Sequence, residues 1–167
     1  LTFTASAEVV RYMGADPVFV DVEYGSGLIT AEIIEVALQA HPKAKAVMVV
    51  HFGGQAAAMD RIMALCRPRG IKVVEDAAHA FPTRCGERMI GTWGDVTCFS
   101  FYANKTITTG EGGMLVTDDE AIAKRARVMR LHGIDRDIWS RFTSSRPSWE
   151  YDVIAPGFKY NLPDLAA

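Results

Sequence analysis

The sequence predicts an α/β domain with a mostly parallel sheet and helices on both faces, and three observations carry that reading. Short runs rich in valine and isoleucine alternate with amphipathic segments along the chain. Several of these runs are apolar almost without interruption, as parallel strands covered on both faces are. Glycines and prolines fall between the segments, where turns are needed. Right-handed crossovers then follow from the handedness of strand and helix.

Taken in order, Ala5 to Tyr12 forms a short helix with Val9, Val10 and Met13 on its apolar side and Gly14 as its left-handed stop. The run from Pro17 to Val22, compact and β-branched, is expected to be a buried strand. Thr30 is suited to cap a helix whose Ile33, Ile34, Ala37 and Leu38 share one face. The run from Ala46 to His51 is the next strand, broken by Gly53 and Gly54. A helix follows with Met59, Ile62, Met63 and Cys66 inward, closed by Pro68 and Gly70.

A third strand, Ile71 to Ala77, places Asp76 at its carboxyl end, and a fourth, Val96 to Phe101, ends shortly before Lys105. Gly113 to Thr117 is a short fifth strand that only a loop separates from the fourth, so an antiparallel pairing is open to it. Asp118, Asp119 and Glu120 open the next helix, Arg130 and His132 lie at its end, and Gly133 stops it, an arrangement that complements the helix dipole. From Asp135 to Pro156, with Trp139 and Trp149, periodicity fades. That stretch reads as a long functional or interface loop, or as one ordered by a partner surface.

Composition restricts the function. The 18 basic and 20 acidic residues nearly cancel, which gives no electrostatic reason to expect nucleic acid or an anionic membrane as partner. Cys66, Cys85 and Cys98 are odd in number and not closely paired, which disfavours a disulfide framework and a zinc site and agrees with reduced thiols in a cytoplasmic setting. No apolar run approaches the roughly 18 residues of a membrane span. A start at Leu1 without methionine, and an end at Ala167 that reads as the opening turn of a helix, lead us to expect a piece of a longer polypeptide.

Ligands of parallel sheets gather at the carboxyl ends of the strands, and His51, Asp76 and the Lys105 loop are all expected on that rim. Lys105 follows a buried strand into a glycine-rich loop with Glu111 as one of few charges, a setting that makes it a candidate for amine chemistry. A solvated surface lysine is the plain alternative. Asp76 either caps a helix, pairs with an arginine, or meets a cationic ring nitrogen. A lysine amine and a carboxylate at neighbouring strand ends are what pyridoxal 5'-phosphate (PLP) requires, the amine for the Schiff base and the acid for the pyridinium nitrogen. In that arrangement Ser100 offers a hydroxyl to the cofactor phosphate, Phe3 a flat face to the ring, and His79, one helical turn from Asp76, a contact to the ring or its 3' oxygen.

The segments Thr2-Phe3, Gly14 to Asp21, His51 to Gln55, Glu75 to Ala80, Phe99 to Lys105, Gly110 to Gly113, Arg130 to Gly133 and Gly157 to Asn161 resemble, in order and spacing, the DegT/DnrJ/EryC1/StrS family of PLP-dependent sugar aminotransferases. The resemblance runs the length of the chain. It implies part of the large domain of a fold-type I transferase in residues 1–133, with residues 134–167 as a loop and the start of a connection to a small carboxyl-terminal domain.

It also implies transfer of an amino group from glutamate to a nucleotide-linked keto-sugar, with a 4-keto sugar of cell-envelope or lipopolysaccharide biosynthesis as the specific expectation. Lys105 matches the Schiff-base lysine, Asp76 the pyridinium partner, Ser100 a phosphate contact, Phe3 the ring-stacking aromatic, and His79 a position held by glutamine or histidine. Asn161 matches an asparagine that reaches the neighbouring subunit's phosphate, which implies a homodimer. The family's longer members carry an amino-terminal phosphate loop and a small domain that this sequence lacks. The alternatives are a dehydratase of the same family, in which histidine replaces the lysine and against which Lys105 speaks, and a truncated, non-catalytic binding or interaction module. A nicotinamide-binding domain is disfavoured because no Gly-x-Gly-x-x-Gly turn follows a strand.

Overall fold

A computed structural model describes residues 1–135 and 151–167; the expectation of a loop at Asp135 to Pro156 falls mainly outside them. Two compact units result, residues 1–117 and 118–167.

The first unit is organised by a four-stranded sheet. Its strands are β1 (Ala46–Val50), β2 (Lys72–Asp76), β5 (Val96–Ser100) and β6 (Gly113–Val116), in the order β1-β2-β5-β6. Pairings of β1 with β2 and of β2 with β5 are parallel, whereas β6 runs antiparallel to β5. Between β2 and β5 a small antiparallel hairpin joins β3 (Arg84–Cys85) to β4 (Arg88–Met89). Its loop is Gly86-Glu87, with Gly86 at φ 57°, the positive φ that a two-residue turn demands at its first position.

Three α-helices belong to this unit: α1 (Thr4–Tyr12), α2 (Ala31–Ala40) and α3 (Met59–Cys66). Thr30 caps α2, its hydroxyl accepting from the Ile33 N–H at 3.4 Å. The expected inner stripe of α3, Met59, Ile62, Met63 and Cys66, is buried without exception. Burying an apolar side chain of this size contributes about 1.5–3 kcal/mol, so this stripe anchors the helix. It packs in one core with Ile34 of α2 and with Val49 and Val73 of the sheet.

Alternation along the strands divides the sheet into two faces. Val49, Val73, Glu75 and Thr97 lie toward that core and are buried. Met48, Val50, Val74, Asp76 and Val96 lie on the other face, where burial is partial.

The run from Pro17 to Val22 does not form the expected strand. It pairs with no strand among the described residues, and Phe19 is 72% exposed. β-branched composition favours a pleated, half-buried setting, and without a neighbouring strand to supply hydrogen bonds the preference goes unrealised. The turn after β2 also departs from expectation: residues 77–80 form a turn closed by Ala80 N–H to the Ala77 carbonyl at 2.9 Å, so no helix places His79 one turn from Asp76.

In the second unit, α4 (Glu120–Met129) is capped by Asp119, whose Oδ1 accepts from the N–H groups of Ala121 and Ile122. The helix ends at Met129, before the expected stop at Gly133; His132 and Gly133 then both take positive φ. Isolated bridges tie Leu131 to Lys159 and Ile134 to Val153. Among the described residues no helix is long and apolar enough to cross a membrane.

Candidate active site

The candidate site lies at the carboxyl ends of β2 and β5. Asp76, the last residue of β2, is in register with Cys98 of β5, so both side chains share a face with Ser100, two positions farther along. The carboxylate of Asp76 is held at both oxygens. Ser6 Oγ donates to Oδ2 at 2.7 Å, and the Ala78 N–H donates to Oδ1 at 3.2 Å. The second contact makes an Asx turn, which stands in place of the helix cap open to Asp76 on sequence grounds. Both donors are neutral, and among the described residues no ion pair engages this carboxylate.

Ser6 lies in the first turn of α1, and Thr2 Oγ1 donates to it at 2.6 Å. The segment that carries Phe3 is thereby fastened to the end of β2. Phe3 occupies the cap position of α1, and its side chain is 77% exposed.

Beyond β5 the chain forms a loop closed at its base. Phe101 N–H donates to the Gly112 carbonyl at 2.8 Å, and the Phe101 carbonyl accepts from the Thr109 N–H at 3.0 Å and the Thr108 hydroxyl at 3.1 Å. Gly113 permits this closure, since a Cβ there would stand 2.7 Å from the Phe99 carbonyl oxygen. Within the loop, Lys105 N–H donates to the Tyr102 carbonyl at 2.9 Å and its side chain is half-buried. Ser100 Oγ accepts from the Tyr102 N–H at 3.2 Å, which leaves the hydroxyl proton free to be donated. The Cys98 thiol is pushed up by desolvation of its sulfur and by the negative charge of Asp76, so it stays a protonated neighbour.

His79 is exposed in the turn after β2, and no hydrogen bond links its ring to Asp76 among the described residues. Its carbonyl lies against Gly54, where an added Cβ would come within 2.8 Å. Asn161 belongs to the second unit, where its Oδ1 accepts from Lys159 Nζ.

His51, expected on the rim, is instead 1% exposed. Its Nδ1 accepts from the Ala57 N–H at 3.1 Å, which places the ring proton on Nε2, 2.9 Å from Glu75 Oε2. The other Glu75 oxygen accepts from the Gly94 N–H at 2.7 Å and the Thr97 hydroxyl at 2.8 Å. Burial pushes the Glu75 carboxyl up, but the donors from His51, Gly94 and Thr97 outweigh it and hold the group below the usual carboxylate range. This network locks the strand position immediately before Asp76 on the face away from the site. Sequence reasoning named Thr2 and Glu75 only within family-like segments, expected His51 on the rim, and did not find Ser6 or the contacts among these residues; the 70 positions separating Ser6 from Asp76 give no local signal.

The donor set fits PLP. A lysine amine, a carboxylate held among the described residues by neutral donors, and a serine hydroxyl with a proton to give are the groups that a carbonyl carbon, a cationic ring nitrogen and a phosphate require.

A family model described as the DegT/DnrJ/EryC1/StrS aminotransferase family matches residues 1–167. The spore coat polysaccharide biosynthesis protein SpsC of Bacillus subtilis (strain 168) is 48% identical over 167 residues, covering 100% of this chain and 42% of that protein. The sugar aminotransferase Spr1654 of Streptococcus pneumoniae, described as putative and solved in its PLP-form, superposes with a TM-score of 0.83 at 28% identity, over 99% of this chain and 44% of its own. The aminotransferase TlmJ of Streptoalloteichus hindustanus gives a TM-score of 0.78 at 36% identity, over 99% of this chain and 42% of its own. The chain thus spans about two fifths of the length of these relatives.

Proposed function

The chain belongs to the DegT/DnrJ/EryC1/StrS aminotransferase family, and from that premise we propose that the full-length protein is a PLP-dependent sugar aminotransferase. The observation that carries the reading is that Asp76, with only neutral donors on its carboxylate among the described residues, ends β2 while Lys105 lies in the loop beyond the adjacent β5. The PLP-form of the pneumococcal neighbour supports the cofactor assignment.

PLP, when bound, supplies an electron sink for the charge left as a proton leaves the amino-bearing carbon. Each residue of this chain then has a task. Lys105 holds the cofactor by its amine and, once released, takes and returns the proton at the substrate carbon. Asp76, kept ionised, holds the proton on the ring nitrogen. Ser100 donates its hydroxyl to the phosphate, Phe3 stacks on the ring, and His79 contacts the ring or its 3' oxygen. Asn161 reaches the phosphate of a second subunit, which makes the working assembly a homodimer.

The finer reading is glutamate as amino donor and a nucleotide-linked keto-sugar, of the 4-keto type, as acceptor, in cytoplasmic synthesis of cell-envelope or lipopolysaccharide sugars. The polysaccharide biosynthesis role in the name of the Bacillus subtilis relative supports a surface-sugar product. Incubating the full-length protein with PLP, glutamate and a panel of nucleotide keto-sugars tests it. We expect 2-oxoglutarate and an aminated sugar nucleotide, and borohydride treatment followed by peptide mapping to place a pyridoxyl group on Lys105. A label elsewhere overturns the site. No keto acid with any acceptor overturns the sugar-aminotransferase reading.

A further inference from the structure

We propose that Ser6 is a positioning residue for Asp76, and that the hydroxyl chain Thr2–Ser6–Asp76 fixes how the carboxylate is presented to the cofactor's ring nitrogen; the inference rests on the functional reading above. Thr2 Oγ1 donates to Ser6 Oγ at 2.6 Å and Ser6 Oγ donates to Asp76 Oδ2 at 2.7 Å. A hydroxyl carries one proton, and an ionised carboxylate only accepts, so the chain has one possible direction. A hydroxyl that is itself receiving a hydrogen bond is a better donor, so Thr2 strengthens the contact it does not make.

The carboxylate's rotation is thereby restricted. Oδ1 is occupied by the Ala78 N–H and Oδ2 by Ser6, and each oxygen keeps one lone-pair direction for a further donor. Ser6 therefore acts through Asp76 by geometry, holding the carboxylate in an orientation from which a free lone pair can meet a protonated ring nitrogen. The same short segment holds Phe3, so one contact orients Asp76 and fastens the segment carrying the candidate stacking aromatic.

Ser6 is a polar residue on a helix with no fully buried member, so its removal leaves the core of Ile34, Val49, Met59 and Val73 untouched. That makes its substitution a clean test. The full-length protein is prepared as wild type, Ser6→Ala, Ser6→Thr and Thr2→Val, each loaded with PLP labelled with 15N at the ring nitrogen. Two readouts are taken, the 15N chemical shift, which separates protonated from neutral pyridine, and the dissociation constant for PLP.

For Ser6→Ala we expect the 15N shift to move toward the neutral value and PLP binding to weaken about tenfold, the scale of one hydrogen bond to a charged group. Ser6→Thr, which keeps a hydroxyl, restores both, and Thr2→Val falls between Ser6→Ala and wild type. A Ser6→Ala protein that binds PLP with an unchanged 15N shift overturns the inference and leaves the functional reading standing. Should Ser6→Ala fail to fold, a Thr2→Val protein with an unmoved shift overturns it equally. A wild type that takes up no PLP overturns the functional reading, and the inference with it.

Discussion

His51 Nε2 and Glu75 Oε2 lie 2.9 Å apart with both side chains fully buried, one residue upstream of the carboxylate that faces the candidate site. Glu75 receives two further donors, from Gly94 and Thr97, so the ends of β1, β2 and β5 are joined through a single side chain. Breaking one side of such an arrangement leaves the others unpaired in a buried site. Glu75→Gln should lower the unfolding free energy of the full-length protein by about 1–3 kcal/mol, the cost of unsatisfied buried polar groups. Urea unfolding of wild type and variant measures it, and unchanged midpoints would count against the network as a stabilising element.

The same carboxylate gives a pH dependence with a definite sign. Its folded value is held below the unfolded value of about 4.3, so its contribution is fully present above that pH and is lost as pH falls through the folded value. Stability of the wild type should therefore decline from about pH 5 downward, and Glu75→Gln should show a shallower acid limb. Denaturation midpoints taken from pH 6 to about pH 3 in both proteins test this; parallel curves would place the acid lability in other groups.

Local signals carried most of the framework. The stripe of Met59, Ile62, Met63 and Cys66 and the Thr30 cap are written at short range and appear as expected, and the strand expected at Gly113 to Thr117 forms over Gly113–Val116 with the antiparallel pairing left open to it. Failures occur where the deciding partner is distant. The run from Pro17 to Val22 has strand composition and no neighbour to pair with among the described residues. His51 follows a strand end, as rim residues do, yet Glu75 and Ala57 hold it inside. The hairpin at Arg84–Met89 was not expected, since two-residue strands among polar neighbours leave no periodicity to read. For the site, the strand ends bearing Asp76 and Ser100 were legible, whereas Ser6 reaches Asp76 only through the fold.

Lys105 and Asp76 have separable tasks and should fail differently. Lys105→Ala should lose about 10²–10⁴-fold in amino transfer and yield no borohydride-fixed pyridoxyl peptide, since both attachment and proton transfer depend on its amine. Asp76→Asn should still take up PLP, because Ser100 and Lys105 remain, but should transfer amino groups far more slowly with an ordinary KM for glutamate. Steady-state kinetics and the absorbance of bound cofactor distinguish these outcomes. Near-normal turnover in Asp76→Asn would remove its role toward the ring nitrogen.

Gly54 links the fold to the position of the turn after β2. Its φ of 85° lies in the left-handed region, and a Cβ there would stand 2.8 Å from the His79 carbonyl oxygen. Its own carbonyl accepts from Thr83 Oγ1 at 2.9 Å, so the loop after β1 is gripped on both sides of the same turn. Gly54→Ala must therefore bear about 1–2 kcal/mol for a left-handed alanine and, in addition, move one backbone away from the other. The His79 carbonyl belongs to the turn of residues 77–80, whose Ala78 N–H donates to Asp76, so a shift of that backbone reaches the carboxylate. Gly54→Ala should thus lower the denaturation midpoint and also weaken PLP binding, without touching Lys105, Asp76 or Ser100. Urea unfolding and PLP titration of the full-length variant test the pair of effects, and a loss of stability with unchanged PLP affinity would show that the turn does not transmit the strain to Asp76.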